Sequence, residues 1–144
     1  AQPDFVLLVH YVTSSNTQYL AYLLEKIPRI VDTLTPDQQV DLWCSIGHRD
    51  TAHLLKKHGF NANTVNSTGQ TPLIKLASEK YQHPYYSFAS LNIDVADHIM
   101  VLLECEADPA KTILINKEEK TAVELTHNPV FKRILENKMK NLLT

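Results

Sequence analysis

A Thr-Pro pair stands twice in front of an apolar stripe of helical period, at Thr35-Pro36 and again at Thr71-Pro72. Thr at an N-cap accepts a hydrogen bond from the first turn, and Pro at the first helical position fixes φ where no donor is needed. Gln38 adds the reciprocal half of a capping box at the first of these starts. Glycine supplies the stops. Gly47 closes the stripe of Val40, Leu42, Trp43 and Ile46, and Gly59 closes a helix expected over Asp50 to His58. The chain holds only three glycines in 144 residues and few alternating β-branched runs, so a mostly helical fold is expected. Two such helices joined by a tight turn form a hairpin, and neither can bury its stripe alone.

The same layout extends in both directions. Upstream, Asp4 to Val12 is a first helix, and Ser14-Ser15-Asn16 is a turn-and-cap cluster. Tyr19, Leu20, Leu23, Leu24 and Ile27 then mark the inner face of a second helix that Pro28 ends. Downstream, Leu73, Leu76 and Ala77 face inward after Thr71-Pro72, and Val95 to Glu104 is the partner helix through Ile99, Leu102 and Leu103. Thr121 to Thr126 opens a shorter third hairpin, and Asn128-Pro129 caps a last helix with the stripe Val130, Ile134, Leu135 and Met139. The chain reads as a repeat array.

Gly47-His48 through Leu54-Leu55 to His58-Gly59-Phe60-Asn61-Ala62-Asn63, followed in register by Asn66-Ser67-Thr68-Gly69-Gln70-Thr71-Pro72-Leu73, resembles the ankyrin repeat family. That family's unit is about 33 residues, a β-turn plus two helices with a T-P-L-H-x-A signature. Val101-Leu102-Leu103-Glu104-Cys105-Glu106-Ala107-Asp108-Pro109 is similar to the close of the next unit, and Asn116 to Thr121 keeps the interval of Asn66 to Thr71. The resemblance covers about residues 35 to 142. It implies an all-α fold, an ankyrin-repeat solenoid of stacked helical hairpins with short β-turn fingers. Residues 1–34 would form a divergent N-terminal capping hairpin and 35–66 a first repeat. Residues 67–115 would form a second repeat with an inter-helix insertion at about 80–92, and 116–144 a C-terminal cap.

The departures from the pattern are specific. Ile74 replaces the signature His, Gln38-Gln39-Val40 stands where T-P-L belongs, and Trp43-Cys44 occupies the Ala-Ala pair. Glu119 stands where Gly69 has its turn glycine, which places an expected positive φ at a non-glycine residue, at a cost of about 1 kcal/mol. Asn66 to Asn116 spans 50 residues against a period of about 33. Of the excess, about 14 fall between the helices and about three in the second finger.

In the family, finger tips and the inner surfaces of first helices bind protein partners. The resemblance therefore points to Asn63, Val65, Thr68, Gln70, Lys75 and Ser78 as a contact face. The inter-helix insertion carries Tyr81, Tyr85, Tyr86 and Phe88, rings suited either to an interface or to packing back on the array. Ile113-Leu114-Ile115 would be exposed at the tip of the second finger unless it pairs as a strand or meets a partner, so Ile113 and Leu114 join the contact set. Leu55 followed eight residues later by Asn63 also looks like the site an asparagine hydroxylase modifies in ankyrin proteins. The alternative is that the Asn63 amide holds its turn.

Other classes find little support in the residues. Fourteen Lys+Arg against sixteen Asp+Glu leave a net charge of −2, with no basic footprint for nucleic acid or anionic lipid. The apolar run Phe5 to Val9 is far short of the ~20 residues of a membrane span. Cys44 and Cys105 lie inside helical patterns with no C-x-x-C spacing, which favours buried thiols and a reducing compartment. His48, His53 and His58 are spaced by five, about 140° apart on a helix, so they cannot share a metal. No G-x-S-x-G, phosphate-cradling loop or H-E-x-x-H occurs. The expectation is a cytoplasmic, non-catalytic protein-binding module, monomeric alone and without cofactor. The alternative is a targeting or regulatory arm of a larger enzyme, which would lie in the host cytoplasm if that enzyme were a secreted bacterial effector.

Overall fold

A computed structural model describes residues 3–14, 17–80 and 95–142. The fold is mostly helical. Its helices are α1 (Pro3–Thr13), α2 (Thr17–Lys26), α3 (Pro36–Cys44), α4 (Arg49–Lys57), α5 (Pro72–Lys75), α6 (Val95–Glu104), α7 (Ala122–Leu125) and α8 (Pro129–Leu142). A 3₁₀ turn, Ile30–Thr33, follows α2, and a π-helical turn, Leu76–Lys80, continues α5. Helix α2 stops at Lys26, two residues before Pro28, as a residue without an amide hydrogen requires.

The starts behave as their cap residues dictate. Thr35 accepts from the Gln38 amide at 3.1 Å while its own amide donates to Gln38 Oε1 at 3.0 Å. Thr71 Oγ1 accepts from the Ile74 amide, and the Thr121 amide donates to Glu124 Oε1 at 3.0 Å. The ends of α4 and α6 also match each other. Phe60 N donates to Leu55 O at 3.0 Å, and Ala107 N donates to Leu102 O at 3.0 Å. Just before each of these donors lies a left-handed residue, Gly59 (φ 92°) or Glu106 (φ 72°). Next, Asn61 Oδ1 accepts from Asn63 N and Asp108 Oδ1 accepts from Ala110 N, so one closure recurs with different side chains.

Packing follows a simple rule: from α3 onward, each helix contacts the one two places before it. One file runs α1, α3, α5, α7 and the other α2, α4, α6, α8, with α1 against α2 at one end and α7 against α8 at the other. A single apolar core runs between the files, from Leu8, Val12, Leu20 and Leu24 through Trp43, Leu55, Leu73, Ile99 and Leu102 to Phe131 and Leu135. Gly47 sits under the end of α1, its amide donating to Val12 O at 3.0 Å. A Cβ there would stand 2.1 Å from Thr13 O, so this glycine permits the contact between α1 and the α3–α4 turn.

Three expectations are corrected. Tyr19 is 58% exposed and stacks on Tyr11 at 5.9 Å instead of facing inward with Leu20 and Leu24. The inner stripe of α8 starts at Phe131, because Asn128 Oδ1 caps Val130 N and Phe131 N and sets a phase that leaves Val130 44% exposed. The fold is mainly helical, and its second finger is a strand pair, one of the two outcomes the apolar tip leaves open: β1 (Thr112–Ile115) runs antiparallel to β2 (Glu118–Thr121). The left-handed residues are Asn116 (φ 51°) and Lys117 (φ 68°), not Glu119, which lies in β2 opposite Leu114. Positive φ at both central residues gives the two-residue turn whose twist suits a hairpin.

Candidate functional site

The first finger and the helices beneath it build a polar cleft of about 390 Å³, lined by Asp37 and Asp41 of α3, Asn66 to Thr68 and Gln70 of the finger, and Lys75 and Glu79. Asn66 organises the finger. Its Oδ1 accepts from Gln70 N (2.8 Å), Thr68 Oγ1 (2.9 Å) and Thr68 N (3.1 Å). Its backbone pairs with Gln70 O and accepts from Gly69 N, whose φ of 87° suits glycine. Asp37 ties this finger to α3, accepting from Ser67 N at 2.6 Å and from Ser67 Oγ at 2.8 Å. Those two bonds, the backbone one first, hold the Asp37 carboxyl below its ordinary pKa.

Lys75 is the one cation among the described residues that line the cleft, 3.2 Å from Glu79 and 3.8 Å from Asp41. Burial works against its ammonium, and the two carboxylates outweigh it, so its pKa stands above the ordinary lysine value. Gln70 Nε2 reaches Ser78 Oγ at 3.2 Å, and Ser78 Oγ in turn donates to Ile74 O at 2.8 Å. Thr68, Gln70, Lys75 and Ser78 are thus brought together on one side of the first finger.

Asn63 serves differently. Its amide spans the gap between fingers, donating to Glu106 O at 2.9 Å and accepting from Asp108 N at 2.7 Å. Both polar atoms are used inside the protein. Val65 is free of such duties and 49% exposed. Ile113 and Leu114 are separated by the pleat: Ile113 packs against the core and Gly69, and Leu114 is 68% exposed. Tyr81, Tyr85, Tyr86 and Phe88 lie outside the described residues.

Sequence reasoning missed Asp37, Asp41, Asn66, Ser67 and Glu79. Asp37 was hidden because an acidic residue in a helix's first turn already has a reason to be there. Also missed was the seam between α4 and α6, where Arg49 pairs with Glu104 at 2.6 Å and Lys56 with Glu106 at 2.6 Å. His53 stands in this seam with Nε2 3.1 Å from Glu104 Oε1 and Nδ1 3.9 Å from Cys105 Sγ. A Cys–His–Glu order is the layout of a nucleophile relay. Here, however, Cys105 is 1% exposed and desolvation pushes its thiol pKa up, both of which work against a thiolate nucleophile. The cluster joins two helices.

Among the described residues no group of three His, Cys, Asp or Glu side chains converges as a metal site, and no helix is long and apolar enough to cross a membrane. No family model matches the chain, and neither does any curated protein or solved structure.

Proposed function

We propose that the chain is a short, diverged ankyrin-type array that binds a protein partner and carries no chemistry of its own. The recurrence of one unit carries this reading: a capped first helix, a second helix ending in a left-handed residue, and an Asx-closed finger. The next-but-one packing of helices supports it, since single hairpins that share a core with their neighbours are how repeat arrays gain stability. The partner face is the first finger with α3 and α5. Val65 offers apolar contact, and the cleft around Lys75 offers polar groups of both signs. A cytosolic setting suits two cysteines that form no disulfide.

Matched photo-crosslinkers test the reading. A benzophenone amino acid replaces Val65 in one protein and Val130, comparably exposed on α8, in another. The position-65 protein should give a discrete adduct in cytosolic lysate that the position-130 protein does not. Adducts from both positions alike, or from 130 alone, would overturn the assignment of the face.

A further inference from the structure

The second finger has a feature that the cleft-facing reading does not use. In a two-residue hairpin the pair flanking the turn exchanges both hydrogen bonds, and the bonded pairs then alternate. Ile115↔Glu118 and Ile113↔Lys120 are therefore the bonded pairs of β1 and β2, and Leu114↔Glu119 and Thr112↔Thr121 the non-bonded ones. The N–H and C=O groups of Thr112 and Leu114 thus point away from β2, along the free edge of β1. Among the described residues no backbone or side-chain partner meets them. The two edges differ in chemistry. The β2 segment Glu118-Glu119-Lys120 is charged, which is how proteins guard an edge, whereas Thr112-Ile113-Leu114-Ile115 is uncharged and rich in strand formers.

We propose that this edge of β1 is a docking site for an extended segment of another protein, which adds to the hairpin as a third strand. Charge decides what kind of segment fits. Lys111 and Lys117 bracket the edge, both exposed and neither in an ion pair among the described residues. A second copy of β1 would bring lysine against lysine in either orientation, which disfavours self-pairing. An incoming strand with acidic residues at its ends and apolar β-branched residues between them meets both lysines. It also sets one apolar side chain beside Leu114, which is 68% exposed. Backbone bonds would then supply affinity and the alternate side chains selectivity, as in other strand-addition complexes. This site is separate from the cleft around Lys75.

The test uses the whole chain and a blocked heptapeptide, Glu-Val-Thr-Val-Thr-Val-Glu, at up to millimolar concentration, followed by NMR amide exchange. The amides of Thr112 and Leu114 should slow at least tenfold while those of Ile113 and Ile115, already paired, change little. The same peptide with lysine at both ends should bind at least fivefold more weakly, and the Lys111→Glu, Lys117→Glu protein should reverse that preference. Leu114→Pro, which removes an outward amide and leaves the ladder donors in place, should abolish binding with the Ile113 and Lys120 amides still protected. Lys75→Glu should leave peptide binding unchanged, which separates this site from the cleft. The proposal is overturned by unchanged exchange at Thr112 and Leu114, by slowing confined to other residues, or by equal affinity for the two peptides. It is equally overturned by a peptide-free dimer in sedimentation that already protects those two amides.

Discussion

The two fingers occupy equivalent places, each leaving a left-handed helix end and entering the next helix through a threonine cap, yet they close by different means. The first is held by side chains: Asn61 and Asn66 act as acceptors for the backbone, and Gly69 takes the turn. The second is held by a backbone ladder with Asn116 and Lys117 in the turn. A few added residues account for the difference, since they give room for two strands of four residues. The consequence is functional. A side-chain closure satisfies its amides internally, whereas a two-stranded ladder leaves two open edges. Asn63 joins the fingers, so neither is independent of the other.

That contrast can be broken at graded cost, read by urea denaturation of Trp43 fluorescence. Asn66→Ala removes three accepted hydrogen bonds from the first finger and should destabilise by about 2 kcal/mol. Asn116→Ala, its counterpart, loses only an eased left-handed conformation and should cost about 1 kcal/mol. Equal costs would mean that the fingers close alike. Asn63→Ala cuts both bonds of the bridge, with an expected loss of about 1.5 kcal/mol. Lys117→Gly goes the other way. Asn-Gly is the favoured pair for this turn, and stability should rise by about 0.5–1 kcal/mol without change at the first finger. Glu106→Gly relieves the same strain at the end of α6 but gives up the ion pair to Lys56, so its gain should be smaller.

The smallest expected effect is on pH dependence. Asp37, Glu104, Glu106 and Glu124 all have folded-state pKa values below the ordinary carboxylate range. Each therefore contributes stability above the unfolded-state pKa, and that contribution is lost as pH falls through the folded value. The melting temperature should drop below roughly pH 4.5. Asp37→Ala should make that drop shallower, and an unchanged slope would remove Asp37 from the first finger's support.

Much of the fold was legible in the sequence because its signals are local. Thr35-Pro36 with Gln38, Thr71-Pro72, Gly59 and Pro28 each act within one helical turn, and the helix ends fall within a residue or two of where these place them. Errors arose where phase or partner decides. Tyr19 satisfies a helical stripe by spacing, but its ring stacks outward on Tyr11. Val130 and Phe131 compete for one inner position, and the Asn128 cap decides between them. Equivalence with Gly69 points to Glu119 for the positive φ, whereas the longer finger places it at Asn116 and Lys117. In the cleft, Thr68, Gln70 and Lys75 come from the family resemblance, which places them on the finger and the first helix after it. Asp37 was not legible, because its contact with Ser67 spans 30 residues and leaves no periodic trace.

The most direct measurement is residue-resolved amide exchange on the free chain. Closure by side chains on one finger and by a ladder on the other requires slow exchange at Asn66, Thr68, Gly69 and Gln70. On the second finger, Ile113, Ile115, Glu118 and Lys120 should be slow while Thr112 and Leu114 exchange at near-unprotected rates. Protection at Leu114 equal to that at Ile113 would contradict the account, because the edge of β1 would then already be covered.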